Sequence, residues 1–131
     1  MNILFADTRM HDFHFLKDII EKSIYLKGNE TCGTKQTIGF LQIYEPVIVV
    51  TNLREEDGER GTDLIKAMKA ESPETFILTQ GEKNQEQKAL EAGADEFMEW
   101  IWGDEEKICH LIDKVLAERI PDYKPIYIHS N

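Results

Sequence analysis

Short blocks of continuous apolar residues alternate along this chain with longer amphipathic stretches, about every 20 to 30 residues. The first block spans residues 3–6 and the third spans residues 47–51. Blocks whose apolar residues are continuous rather than alternating are typical of strands buried on both faces of a parallel sheet. Because parallel strands need a crossover helix between them, the pattern predicts five βα units in one doubly wound α/β fold.

The remaining elements follow from the same periodicity. Blocks at 75–79 and 96–100 predict the fourth and fifth strands, and a weaker block at 30–34 predicts the second. Apolar residues that recur every three or four positions predict a last helix over 104–119, with Asp104 as its N-cap. Four further helices are predicted. The first is marked by the apolar stripe Phe13, Leu16, Ile20 and Ile24, and the second spans residues 35–44. The third is marked by Leu64, Ile65 and Met68 after a cap at Thr62, and the fourth by a capping box at Asn84 and Gln87 with a stop at Gly93.

The charge of the chain excludes several classes of partner. Its 131 residues carry 15 Lys and Arg against 25 Asp and Glu, a formal net charge of −10. Such a field repels nucleic-acid backbones and anionic lipid head groups, so we expect no nucleic-acid contact and no membrane contact. The longest strongly apolar run, residues 47–50, is far below the roughly 20 residues that cross a bilayer, and the first residues lack a basic signal-peptide start. We therefore expect a cytoplasmic protein.

The two cysteines, Cys32 and Cys109, do not have the spacing of a metal-binding or redox pair. A domain of this length buries a sufficient core without a disulfide. We expect both thiols to be reduced, and we expect neither a disulfide scaffold nor a cysteine zinc site.

Polar or aromatic residues follow four of the predicted strands. In a doubly wound sheet the ligand crevice opens at the carboxyl ends of the strands, where the strand order reverses. The candidate site residues are therefore those at the strand ends, namely Asp7, Asn52, Thr79 and Trp100.

Three segments resemble the receiver domain of two-component response regulators, and the resemblance covers about residues 1–119. Residues 45–53 resemble the family's third strand, in which a proline (here Pro46) precedes the phosphorylated aspartate by six positions. Residues 77–79 resemble the fourth strand, which ends in a hydroxyl residue. Residues 89–98 resemble the approach to the fifth strand. The resemblance implies a flavodoxin-like (βα)5 sheet with strand order 2-1-3-4-5.

The family's chemistry is phosphoryl transfer from a partner's phosphohistidine to an aspartate, and this requires a divalent metal, a cation and a hydroxyl around the acceptor. Carried over by position, the resemblance places the first acidic pair on Ala6 and Asp7, the acceptor on Asn52, the switch hydroxyl on Thr79 and the lysine on Trp100. Three of these five positions lack the required residue type. The resemblance therefore implies a degenerate receiver, or pseudo-receiver, that is not phosphorylated at the usual place.

The loss of charge predicts a binding module with no catalytic residues, no metal and no cofactor. Mg²⁺ dehydrates reluctantly and needs several carboxylates, and the amide oxygen of Asn52 is a poor nucleophile toward phosphorus. The resemblance also implies where partners dock, on the face formed by helix four, strand five and helix five. That face is rich in acids, which suit a basic or hydrophobic protein partner, and it could also pair two copies of the chain.

Other interpretations remain open. Asp7 could hold a metal with the loop acids Glu55, Glu56 and Asp57, although a solvated acidic loop is the simpler prediction. Asp57 could be a substitute phosphoacceptor.

A transition-metal site of Asp7 with His11 and His14 is another alternative, although such spacing is common by chance. The hydroxyl of Thr79 is expected to bond to local backbone. A small-ligand, flavodoxin-like function is disfavoured because residues 7–11 contain no glycine for a phosphate loop.

The last twelve residues, 120–131, are predicted to lie outside the domain of residues 1–119. They contain two prolines and an alternating Ile126, Tyr127 and Ile128. The segment is interpreted as a C-terminal tail, as the start of a linker in a longer transcription activator, or as a strand added to a sheet edge. A chain complete at Asn131 would instead be a single-domain adaptor.

Overall fold

The computed structural model describes residues 2–8, 14–100, 103 and 105–129, without the side chains of residues 14 and 15. Five strands form one parallel sheet in the order β2-β1-β3-β4-β5, as predicted. The elements in chain order are β1 Ile3–Asp7, α1 His14–Ile24, β2 Asn29–Cys32, α2 Gly33–Ile43, β3 Ile48–Asn52, α3 Arg60–Glu71, β4 Phe76–Gly81, α4 Glu86–Ala92, β5 Glu96–Glu99 and α5 Glu105–Arg119.

The central strands are buried on both faces, which is why their sequences are apolar at every position. In β1, Ile3 and Phe5 join an apolar cluster with α1 and α5, whereas Leu4 and Ala6 join a second cluster with α2, α3 and α4. One face of the sheet is therefore covered by the two helices α1 and α5, and the other face is covered by the three helices α2, α3 and α4. This arrangement leaves the carboxyl ends of β1 and β3 side by side, because the two strands pair directly.

One predicted strand end moves by two residues. The fourth strand was expected to end at Thr79, but β4 continues to Gly81. Gln80 pairs with Asn52 of β3 on one side and with Met98 of β5 on the other. Thr79 consequently lies inside the sheet, with paired strands on both sides.

The predicted capping box is wrong. Glu82 and Gln85 form the box, at the start of a short 3-10 turn over Lys83–Gln85 that leads into α4. The side chain of Asn84 donates to Glu55 instead, at 3.3 Å.

Two other helix boundaries were also tested. The helix stop at Gly93 is confirmed, with φ at +120°. Thr62 does not cap α3, because this helix already begins at Arg60 and the Thr62 hydroxyl donates to the carbonyl of Glu59. Phe13 and the predicted cap Asp104 lie outside the described residues.

The segment after α5 does not extend the sheet. Residues 121–129 contain no strand and lie against α5 through contacts to Asp113. In the described part of the chain, no helix combines the length and apolar character that a membrane span requires.

Candidate functional site

The carboxyl ends of β1 and β3 carry a compact ionic cluster of Asp7, Arg54 and Asp57. The guanidinium of Arg54 donates to both oxygens of Asp7, from Nη1 to Oδ1 at 2.7 Å and from Nη2 to Oδ2 at 2.5 Å. Nη1 also donates to Oδ2 of Asp57 at 3.2 Å. A two-pronged contact of this kind is the strongest geometry for an arginine and a carboxylate.

Thr8 also bonds to both carboxylates. Its backbone N–H donates to Oδ1 of Asp7 at 2.7 Å, and its hydroxyl donates to Oδ2 of Asp57 at 2.6 Å. One threonine and one arginine therefore fix the orientation of both acids.

The cluster is withdrawn from water. The side chain of Arg54 is 12% exposed, that of Asp7 is 3% exposed and that of Asp57 is fully buried. Charges at this depth are maintained by pairing, because an unpaired buried carboxylate or guanidinium loses its hydration without compensation.

The local backbone explains how Arg54 reaches both acids. Leu53 extends the sheet by donating to the carbonyl of Gln80 at 2.7 Å, and Arg54 itself is extended. The chain then turns through a 3-10 turn over Glu55–Asp57 and leaves it at Gly58, whose φ of +60° favours glycine. This turn places Asp57 beside Arg54 and beside the end of β1.

The prediction of a solvated acidic loop is right for two residues and wrong for the third. Glu55 and Glu56 are exposed, whereas Asp57 is buried and bonded. Arg54 was missed by the sequence reasoning. The available signal was a lone basic residue between a strand end and three consecutive acids.

The other predicted site residues occupy three different environments. Asn52 ends β3 and is 9% exposed. Thr79 is fully buried, and its hydroxyl has no hydrogen-bond partner among the residues that the structure describes. The expectation that this hydroxyl bonds to local backbone is wrong, because the neighbouring peptide groups are used in the pairing of β4 with β3 and β5.

Trp100 directly follows β5 and donates its backbone N–H to the carbonyl of Gly81 at 2.8 Å. Its half-buried ring packs against the apolar cluster between the sheet, α1 and α5.

The donor set does not fit a divalent cation. The carboxylates of Asp7 and Asp57 are already bound to the guanidinium of Arg54, and Asn52 is neutral. Hard divalent cations need several free oxygen ligands that carry negative charge. Over the described residues, no group of three or more His, Cys, Asp and Glu is arranged to hold a metal. His11 and the side chain of His14 lie outside those residues.

A groove of about 340 Å³ lies between the edge strand β5 and α5. Its apolar lining includes Leu16, Met98, Trp100 and Ile108. Its charged lining consists of Glu96, Glu99, Glu105 and Lys107. The groove therefore combines an apolar floor with an excess of carboxylates.

The fold resembles several solved structures. A signal receiver domain of a signal transduction histidine kinase from Syntrophus aciditrophicus matches with a TM-score of 0.74 and 15% identity, over 98% of each chain. A two-component response regulator from Clostridium difficile matches with a TM-score of 0.73 and 17% identity, over 92% of this chain and 98% of that chain. The receiver domain of NtrC4 from Aquifex aeolicus matches with a TM-score of 0.71 and 19% identity, over 90% of this chain and 98% of that chain.

No sequence model of a protein family matches the chain. No curated protein matches it either. The structural similarity nevertheless confirms the predicted architecture, which is the flavodoxin-like fold of response regulator receiver domains.

Proposed function

We propose that this domain is a signalling module of the receiver fold that acts through protein contact and is not phosphorylated. The observation that carries the proposal is the position of Arg54, whose guanidinium binds both oxygens of Asp7 and one oxygen of Asp57. The cation that phosphoryl transfer requires is a metal bound to such acids. Here a side chain of the protein supplies the positive charge.

The guanidinium cannot replace the metal in the chemistry. Phosphoryl transfer needs a cation that coordinates the phosphoryl oxygens while a carboxylate attacks in line. Arg54 directs three N–H donors to protein carboxylates, and breaking these contacts would remove the guanidinium from two buried acids. The position that corresponds to the acceptor holds Asn52, whose neutral amide oxygen is a poor nucleophile.

The alternative of phosphorylation at Asp57 is less well supported. Oδ2 of Asp57 accepts hydrogen bonds from Thr8 and from Arg54, and the side chain has no exposed surface. A phosphodonor has no approach to a carboxylate in this position without disruption of the cluster. Asp7 has the same disadvantage, because Arg54 holds both of its oxygens.

We propose the β5–α5 groove and the adjoining surface of α4 as the partner-binding face. The edge position of β5, the half-buried Met98 and Trp100, and the surrounding carboxylates suit a partner segment with apolar and basic side chains. The module then works as a binding domain and not as an enzyme. Its role as the N-terminal regulatory domain of a transcription activator is part of this proposal.

The first prediction concerns ligand binding. We expect that Mg²⁺ followed by beryllofluoride, a mimic of the acyl phosphate, leaves the amide NMR signals of Asp7, Asn52 and Thr79 unchanged, because the acids are neutralised internally. A receiver domain with a complete acidic site, titrated in parallel, provides the positive control. Large shifts at the three residues would contradict the proposal.

The second prediction concerns the missing acceptor. We expect that Asn52→Asp, incubated with a small-molecule phosphodonor and Mg²⁺, does not gain the mass of a phosphoryl group. Restoring the nucleophile leaves Arg54 on the remaining acids and leaves Trp100 at the position that corresponds to the lysine. Asn84→Asp, an exposed substitution of the same type, controls for nonspecific modification. A stoichiometric phosphoryl adduct on Asn52→Asp alone would show that only the acceptor was missing.

A further inference from the structure

A second buried ionic group lies on α5, away from the strand ends. The carboxylate of Asp113 is fully buried and accepts hydrogen bonds from the segment that follows the helix. Oδ1 accepts from the Tyr123 hydroxyl at 2.5 Å, and the Ile126 N–H is shared between Oδ1 at 2.9 Å and Oδ2 at 3.0 Å. Oδ2 also accepts from the Tyr127 N–H at 3.0 Å and contacts Nε2 of His129 at 2.8 Å.

Aromatic rings complete the contact between the tail, residues 121–129, and the helix. Tyr123 and Tyr127 pack against the apolar cluster between the sheet, α1 and α5. The ring of Tyr127 also stacks on His110 of α5, with 3.7 Å between centroids. The tail therefore covers a surface of α5 that is partly apolar.

Several side chains of the tail contribute little to its attachment. Ile126 is 45% exposed and Ile128 is 99% exposed, and Asp122, Lys124 and Pro125 are also exposed. Four tail residues thus converge on one carboxylate, while the residues between them face solvent. A segment whose hydrogen bonds share one carboxylate gains or loses those bonds together, because removal of the carboxylate leaves each of these donors without its acceptor.

We propose that residues 121–129 form a detachable latch on α5, which opens as one unit while the sheet and the helices stay folded. The domain then has two states, one in which the tail covers α5 and one in which that surface is free. This inference does not depend on the absence of phosphorylation, because the latch lies outside the strand-end site.

Native-state amide hydrogen exchange tests the latch directly. We expect the amides of Ile126 and Tyr127 to be protected on the order of 10²–10³-fold, and the strand amides of Val49 and Val50 to be protected far more strongly. The tail amides are less protected than the strand amides if the tail opens while the sheet stays folded. The latch is excluded if the tail amides exchange as slowly as the strand amides, because the tail then opens only with global unfolding. It is also excluded if they exchange at the rate of an unfolded peptide, because the tail is then undocked.

The matched variants are Asp113→Asn and Asp122→Asn, which make the same chemical change at a buried anchor and at an exposed tail position. Asp113→Asn is expected to bring the protection of Ile126 and Tyr127 to within about tenfold of an unfolded peptide, with the strand amides still protected. Asp122→Asn is expected to leave all four amides unchanged. If Asp113→Asn does not fold, Tyr123→Phe removes one donor to Asp113 and should lower the protection of both tail amides together. Equal protection in Tyr123→Phe and wild type would overturn the latch.

Discussion

Replacing Arg54 with alanine is expected to lower the free energy of unfolding by about 3–5 kcal/mol, which is the usual cost of removing one partner from a buried ion pair. The substitution removes the donors that hold Asp7 and Asp57, whose side chains are 3% and 0% exposed. Both carboxylates would then lose their closest cationic contact while they remain buried, and the hydrogen bonds from Thr8 do not replace that charge. Chemical denaturation monitored by circular dichroism measures the loss.

A matched control lies in the same region of the fold. Arg60 is 3.7 Å from Oδ1 of Asp57, but its side chain is 68% exposed. Arg60→Ala is therefore expected to change the free energy of unfolding by less than about 1 kcal/mol. Similar losses in Arg54→Ala and Arg60→Ala would contradict the view that a buried guanidinium holds the strand ends together.

Two further variants separate charge from geometry. Arg54→Lys keeps the positive charge but cannot make the two-pronged contact with Asp7, so an intermediate loss is expected. The double variant Arg54→Ala and Asp57→Asn removes one of the two buried charges that lose the guanidinium, and it is expected to recover part of the stability lost in Arg54→Ala. No recovery would show that Asp57 is not paired through Arg54.

The strands of the sheet could be predicted from the sequence because the signal for each strand lies within a short run of neighbouring residues. The blocks at 3–6 and 47–50 are apolar at every position, and such a sequence is typical of a strand that is covered on both faces. The strand order came from the resemblance to receiver domains, since periodicity does not determine which strands are neighbours. The register of β4 could not be derived from composition, because the polar residue Gln80 continues the strand after Thr79.

Only part of the ionic cluster could be predicted from the sequence. Asp7 was identified because it ends a buried strand, and the position of a strand end is a local property. The burial of Arg54 and Asp57 depends on contact with residues 46–49 positions away in the chain, Asp7 and Thr8. An arginine followed by three acids is usually a solvated turn, and only the pairing of β1 with β3 changes that outcome.

The contact between the tail and Asp113 could not be predicted from the sequence for a similar reason. Asp113 interrupts the apolar stripe of α5 between Ile112 and Val115, and an acid in a helix usually faces solvent. Its burial is compensated by donors that come from the tail, including Ile126 and Tyr127. The proline-containing tail alone gave no indication that its backbone N–H groups would bind a carboxylate.

The free energy of unfolding should depend on pH through the ionisation of Asp113. Burial raises the pKa of Asp113, but hydrogen bonds from Tyr123, Ile126, Tyr127 and His129 outweigh burial and lower the pKa below its ordinary value. A folded-state pKa below the unfolded-state pKa means that the folded protein binds the proton less well. The ionised carboxylate of Asp113 therefore contributes its full stabilisation of the folded state above about pH 4, which is the unfolded-state pKa of an aspartate. This contribution is lost as the pH falls through the lower folded-state pKa.

At neutral pH, Asp113→Asn is expected to lower the free energy of unfolding by about 2–4 kcal/mol, because the amide offers one neutral acceptor and turns an N–H₂ group toward donors of the tail. The difference between wild type and variant should shrink as the pH falls below about 4, since a protonated Asp113 is itself a neutral acceptor. The two proteins differ only at residue 113, so the difference between their curves reports the effect of that carboxylate on stability. Urea denaturation at a series of pH values measures both curves. A difference that stays constant down to pH 2 would show that the tail is not held by the ionised carboxylate.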